Sequence, residues 1–492
     1  MPKTDKPNLL YILTDQQRFD TMSCYGNMQI DTPAMNALAS GSFVFENAYV
    51  TQPVCTPSRA TQLTGLYPHA SELLACNIPL PEEIPTIAEL VSDEYTCGYY
   101  GKWHLGDEIF SQHGFTDRVA TEDSYRRHYS DPEKYTQLSA YHDFLIEKGF
   151  TPDSETMGEK VFSRHFEAGL DDHLTKATFL GDKSSDFINE HAEEDDPWML
   201  MVGFLEPHPP HTGPYNDMYD PATMPAGESF MKRPDRKSAR FTRVMGAYYM
   251  ESEDYGCDMS TEEGWKQLMA RYWGNVTLVD RALEKIFASL EESGQADNTI
   301  VVLTSDHGEM MGNHGILGKT VMYEESIKVP MVVRVPWLNG DQKDIAGNFS
   351  HIDTVPTLLS LMGQPVPENI PGRDLTPVLN GDETLENDDV FIQWNRSDGH
   401  PLPGEAEVNP QMQTPWRTVV TSDRWKLNLS AHDQCEMFDL NSDPNEMLNL
   451  YDDPAHASRV GDLTQKLRQW QQDNDDGVEL PGVNVTNESA MT

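Results

Sequence analysis

Positive charge is what this chain has least of. Its 492 residues carry 36 Lys and Arg against 80 Asp and Glu, a formal charge of −44, which repels nucleic acid and anionic membrane surfaces and argues against either as a partner. Long apolar runs are missing too. No uncharged stretch approaches the ~20 residues of a membrane span, and the N-terminal run from Leu9 to Leu13 is too short for a secretory h-region, so the expected location is the cytoplasm. The six cysteines (Cys24, Cys55, Cys76, Cys97, Cys257, Cys435) show no C-x-x-C spacing. That argues against a zinc knuckle or redox pair and suggests no disulfide framework.

What the chain does have is short apolar runs of strand length alternating with helical patterns, the signature of an α/β fold with a mainly parallel sheet. Helices are expected from Thr32-Pro33 to Gly41, from about Glu262 to Gly294, and from Thr354 to Gly363, with Thr32 as the cap of the first. After about Arg373 the character changes. Two strands turning at Ser422-Asp423, a further strand into an Asp-Pro turn, and a closing helix from Thr464 to Asn474 predict a small C-terminal α+β domain with an antiparallel sheet. The expected division is a catalytic domain over 1–375 and a C-terminal subdomain over 376–492.

Four apolar runs end in chemistry-bearing residues: "NLLYILT" delivers Asp15, "TCGYYG" delivers Lys102 and His104, "WMLMVGFLEP" delivers His208, and "TIVVLTS" delivers Asp306 and His307. Ligand sites in open α/β sheets lie beyond the carboxyl ends of the strands, so these residues are expected to converge. Asp15, Asp306 and His307 offer two hard oxygens and one imidazole to a divalent cation. The carboxylates suit calcium, magnesium or manganese, and the histidine leaves softer metals open.

One further stretch, "VCTPSRATQLTG", runs from a lone cysteine into a helix. "CTPSR" matches the C-x-P-S-R signature of the type I sulfatases, and the resemblance continues through "ATQLTGLYPH", "GYYGKWHLG", "EPHPPH", "SDHGEMMGNHGILGK" and "MYEESIKVP". The resemblance implies an alkaline-phosphatase-like fold and oxidation of Cys55 to formylglycine by a formylglycine-generating enzyme. One hydroxyl of the aldehyde hydrate would attack sulfur, and loss of a proton from the other would expel sulfate and regenerate the aldehyde. It further implies Asp15, Gln16, Cys55, Asp306 and His307 around the metal, and Arg59 holding the formylglycine hydroxyl. Lys102 and His104 would serve the nucleophile, His104 as base. His208 and Lys319 would contact sulfate and protonate the departing alcohol. Asn77 and His211 are weaker candidates for the sulfate pocket, while His113 and His314 are expected to be structural.

Many sulfatases carry a second aspartate where this chain has Gln16 and an asparagine where it has His307. The set here resembles the branch containing phosphonate monoester hydrolases and choline sulfatases. Sulfate ester hydrolysis on a small sulfated sugar or aryl sulfate is therefore the first expectation, hydrolysis of phosphonate monoesters or phosphodiesters the second, and a sulfated-ligand binder with unconverted Cys55 the third. "KRPDRKSAR", Lys232 to Arg240, gathers five basic residues that either steer an anionic sugar or pair with the chain's own carboxylates. "FIQWNRSDGH" offers Trp394, Asn395 and Arg396 to a leaving group.

Overall fold

The strand Asn8–Asp15 lies inside a nine-stranded sheet and is buried along its whole length. Both sets of its side chains are apolar because both faces of the sheet are covered. Leu9, Tyr11 and Leu13 enter one core, and Leu10 and Ile12 the other. Thr299–Ser305 and Trp198–Pro207 flank it in parallel, and Thr96–Gly101 and then Asp117–Val119 continue the parallel set. Beyond Thr299–Ser305 the sheet turns antiparallel through Met331–Arg334 to Phe43–Tyr49. This computed structural model describes residues 6–254, 256–338, 340–396 and 413–482, and its main sheet is the mostly parallel, helix-flanked one expected.

The long helix Glu262–Glu292 starts where Thr261 accepts from the Gly264 N–H, and buries Trp265, Leu268, Tyr272, Val276, Val279, Leu283 and Ile286 on one face of the sheet. Cys55–Thr64 packs on the other face through Ala60 and Leu63. Two helix boundaries differ from expectation. Thr32 makes no capping bond to the helix Pro33–Ser40; Asp280 of the long helix accepts from the N–H groups of Ala34 and Met35 at 3.2 and 2.8 Å instead. The closing helix is Ala457–Asp473 and begins earlier, because Asp453 caps a short turn, Pro454–His456, that runs straight into it.

The strands Val390–Trp394, Trp416–Val420, Trp425–Leu429 and Glu436–Asp439 form a second, antiparallel sheet. Val460, Leu463 and Leu467 of the closing helix pack on it. This sheet is docked beside the loop that leads to Cys55, where the Gln393 N–H donates to the Thr51 carbonyl at 2.7 Å. A third unit, between residues 120 and 180, is an insertion with its own small core of Tyr141, Leu145, Phe162, Leu170, Leu174 and Phe179.

Candidate active site

Asp15, Lys102, His104, His208, Asp306 and His307 all stand at or just beyond the carboxyl ends of four adjacent parallel strands. Cys55 is the first residue of its helix, which aims it at the same place. The letters around it have local reasons. Thr56 donates to the His104 carbonyl at 2.8 Å and accepts from the Asn77 N–H at 3.1 Å, so it ties two loops of the site together. Pro57 falls in the first turn, where no N–H is needed. Arg59 lies one turn on from Cys55 and faces the same way.

The Arg59 guanidinium is fully buried and joins both carboxylates, with Nη2 to Asp15 Oδ2 at 3.0 Å and Nε to Asp306 Oδ2 at 2.9 Å. Its Nη1 donates to the Lys102 carbonyl at 2.8 Å. Space for it comes from Gly203 on the neighbouring strand, where an added Cβ would meet Arg59 Nη1 at 3.3 Å and the Lys102 carbonyl at 2.7 Å. Lys102 Nζ lies 2.5 Å from Asp15 Oδ2. Left-handed backbone at Gln16, Asn77, His104 and Thr320 marks the same region, the kind of strain that a surrounding structure must over-determine to hold.

Asp15, Cys55, Asp306 and His307 present one ligand atom each within 4.8 Å of one another, all buried. His307 Nδ1 donates to the Gly308 carbonyl at 3.0 Å, which leaves Nε2 bare as a ligand, 3.2 Å from the Cys55 sulfur. Burial, and then the charge of Asp15, push the Asp306 carboxyl up to about 6. Asp15 moves the other way: burial and Cys55 raise it, but Lys102, His208 and Arg59 together hold it well below the usual carboxylate range. Two crowded carboxylates and a bare imidazole nitrogen fit a hard divalent cation, whose charge would relieve that crowding. Gln16 is engaged differently from expectation. Its carbonyl accepts from Lys319 and its amide donates to Glu309, which makes it a link between the carboxylate cluster and Lys319.

The Cys55 thiol is pulled well below its ordinary range, first by a hydrogen bond with Cys76 and, against burial, by Lys102, Lys319 and His307. His104 is lowered to about 4 by burial and then by Lys102, so it stays neutral near pH 7. Its Nε2 faces Asn77 Oδ1 at 3.1 Å. Nδ1 is buried with no hydrogen-bond partner, and the Cys55 side chain acts on the ring. Asn77 thus orients His104. His208, half-buried, donates Nδ1 to the Pro209 carbonyl at 2.8 Å. Burial holds its ring well below the ordinary histidine range, helped by the charges of Lys319, Lys102 and Arg164.

Two residues expected to contact substrate are buried. Trp394 is 1% exposed and belongs to the main core, because its strand turns that face toward the large sheet. His211 is fully buried, with Nδ1 donating to the Pro207 carbonyl at 3.1 Å and its ring edge against Tyr272. It shapes the loop behind His208. Asn395 donates to Gln52 at 2.7 Å, and Ser397 to His400 of the same stretch lie outside the described residues. His113 stacks on Trp103 and His314 on Tyr323, both at structural positions. Lys232, Arg233, Arg236, Lys237 and Arg240 are exposed, and the backbone N–H groups of Ala239, Arg240 and Phe241 are anchored on Glu436 and Asp433.

Sequence reasoning missed Tyr125, Glu108 and Arg164. The Tyr125 ring stacks on His104 with centroids 4.1 Å apart, and Lys102 Nζ lies 5.6 Å from the same ring. Glu108 accepts from the N–H groups of Trp103 and His104 at 2.7 and 2.6 Å and so supports the strained backbone of His104. The WHLGDE run made Glu108 findable, as a carboxylate able to reach back over a tight turn. Nothing local marked Tyr125 or Arg164, which arrive from the insertion.

A family model described as Sulfatase matches residues 7–364, and one described as N-sulphoglucosamine sulphohydrolase, C-terminal, matches residues 312–473. An uncharacterized sulfatase of Escherichia coli, YidJ, is 28% identical over 475 residues, covering 94% of this chain and 86% of its own. The ulvan-active sulfatase of Formosa agariphila is 28% identical over 470 residues, covering 94% and 80%. Among solved structures, the phosphonate monoester hydrolase of Agrobacterium radiobacter superposes with a TM-score of 0.76 at 26% identity, covering 95% of this chain and 96% of that one. The buried Cys55, the carboxylate pair beside it and the family match over more than half the chain lead to one conclusion: this protein is an enzyme of the sulfatase family, in the alkaline phosphatase superfamily.

Proposed function

We propose that this enzyme hydrolyses sulfate esters of a small sugar or aryl alcohol, using a formylglycine made from Cys55. The observation that carries the reading is Cys55 at the head of its helix, packed against His307 and bracketed by Asp15, Asp306 and Arg59. A divalent cation, calcium first and magnesium or manganese next, fits Asp15, Asp306 and His307. Bound there beside the aldehyde hydrate, it would supply Lewis acidity and a nucleophilic oxygen.

The chain's own residues do the rest. Arg59 neutralises the carboxylates and keeps them apart, and Lys102 holds Asp15 ionised. His104, kept neutral by burial, takes a proton at Nδ1, its Nε2 being occupied by Asn77. Lys319, which its neighbouring anions keep charged against burial, and His208 bind the sulfate oxygens. A seated anion raises the basicity of the His208 ring, which then carries a proton to the departing alcohol through Nε2.

A second reading, phosphonate monoester or phosphodiester hydrolysis, is favoured by Gln16 and His307 in the ligand region and by the likeness to the Agrobacterium radiobacter enzyme. Rates on 4-nitrophenyl sulfate, 4-nitrophenyl phenylphosphonate and bis(4-nitrophenyl) phosphate decide between them. Dominance of the sulfate is expected, and dominance of either phosphorus ester would overturn the sulfatase assignment. Peptide mass spectrometry across Cys55 reads the conversion directly: an unmodified thiol throughout native material would sink the nucleophile.

A further inference from the structure

The insertion between residues 120 and 180 brings Arg164 beside His208, and its geometry is that of a reader. Arg164 sits behind the Tyr125 ring that stacks on His104, its guanidinium 5.3 Å from the ring centroid. Two of its nitrogens are committed. Nε and Nη2 bond Glu122 Oε2 at 3.1 and 2.6 Å, and Nη2 also reaches Ser124 Oγ at 3.2 Å and Tyr125 Oη at 2.9 Å. Nη1 takes part in none of these bonds. The side chain is 26% exposed while its anchor Glu122 is 1% exposed, so the guanidinium is held through Nε and Nη2 on a partly exposed side chain.

The side chain borders a cleft. Arg164 lines it together with His208, Thr212, Thr175, Asn275 and Glu206, and its charge acts on His208. Of the other charged groups around that cleft, Lys176 pairs with Glu122 and Glu167. Burial pushes Glu167 up to about 8 and Glu206 upward as well, which lessens the negative charge that these two carboxyls set beside Arg164. A rotamer-rich side chain already immobilised by its own protein loses little entropy on binding a ligand, and a guanidinium is suited to oxyanions.

We propose that Arg164 is a specificity-determining residue that binds a second anionic group, a carboxylate or a further sulfate, on the sugar bearing the scissile sulfate. This rests on the sulfate-ester reading above and adds to it an acidic leaving group. The test is equilibrium binding by calorimetry in a Cys55→Ala background with calcium, where no turnover occurs. The probes are a neutral monosulfated sugar, a sulfated uronic acid and a disulfated sugar.

With Arg164 intact, the two doubly anionic sugars should bind at least tenfold tighter than the neutral one, and Arg164→Gln should erase most of that ratio. Whichever dianion shows the larger loss identifies the group read. A ratio near one with Arg164 intact, or one that Arg164→Gln leaves unchanged, overturns the proposal. If Arg164→Gln fails to fold, Arg164→Lys, which keeps a cation on Glu122 but lacks the guanidinium, is read by the same ratio with the same two outcomes. Failure of the sulfate-ester reading would show separately, as 4-nitrophenyl sulfate turned over more slowly than the phosphorus esters by the converted enzyme.

Discussion

Replacing Arg59 with methionine tests whether the guanidinium is the brace of the carboxylate pair. The substitution keeps much of the apolar stem and removes bonds to Asp306 at 2.9 Å, Asp15 at 3.0 Å and the Lys102 carbonyl at 2.8 Å, all in a fully buried setting. Two hydrogen bonds to charged groups at about 1.5–3 kcal/mol each give roughly 3–6 kcal/mol. The independent figure for stranding a buried charge by removing its partner is about 3–5 kcal/mol, so a loss near 4 kcal/mol is expected. Asp15 keeps Lys102 at 2.5 Å, and most of the uncompensated charge therefore falls on Asp306. The assay is urea unfolding with a chelator present, so that no divalent cation replaces the missing charge. The midpoint should fall with an unchanged slope. In the Arg59→Met, Asp306→Asn double variant about 1–3 kcal/mol of the loss should return as coupling. Additive effects within about 0.5 kcal/mol would refute the bracing argument.

Three further outcomes follow from the same geometry. Burial pushes Glu108 up from 4.5 to about 7. Because its folded-state pKa is raised, the stability it contributes is present below pH 4.5 and lost as pH rises through 7, by roughly 3 kcal/mol; Glu108→Gln, which cannot ionise, should flatten that part of the urea-derived profile. Tyr125→Leu removes the ring stacked 4.1 Å from His104, an aromatic contact worth about 0.5–1.5 kcal/mol, so kcat on 4-nitrophenyl sulfate should fall two- to tenfold while Tyr125→Phe retains most of it. Trp394→Ala should cost about 3–5 kcal/mol of stability with kcat per folded molecule unchanged; a selective rise in KM would return Trp394 to the substrate pocket.

Much of the fold was legible because it depends on local periodicity. Buried parallel strands need near-continuous apolar runs, and "NLLYILT" and "TIVVLTS" have no other use for them. The sites of chemistry were legible for a related reason: polar residues that end such runs have nowhere to go but the carboxyl edge of the sheet. Boundaries set by distant partners were not. The helix Pro33–Ser40 takes its cap from Asp280, some 245 positions away in sequence, and no reading of Thr32 reveals that its hydroxyl makes no capping bond.

The same division holds at the site. By itself the amino-acid sequence determined which groups are available, namely a cysteine in a C-x-P-S-R setting with an arginine one helical turn later, and carboxylates and imidazoles at strand ends. It could do so because side-chain chemistry and short-range spacing are local properties of a chain. Only the tertiary structure decided how those groups are used. It joins Gln16 to Lys319, turns Asn77 toward His104, buries Trp394 and His211, and brings Tyr125 from the insertion against His104 with Arg164 behind the ring. Each of those outcomes depends on which surfaces the packing leaves open and which charges it forces together, and such terms exist only when residues far apart in the chain share one low-dielectric space.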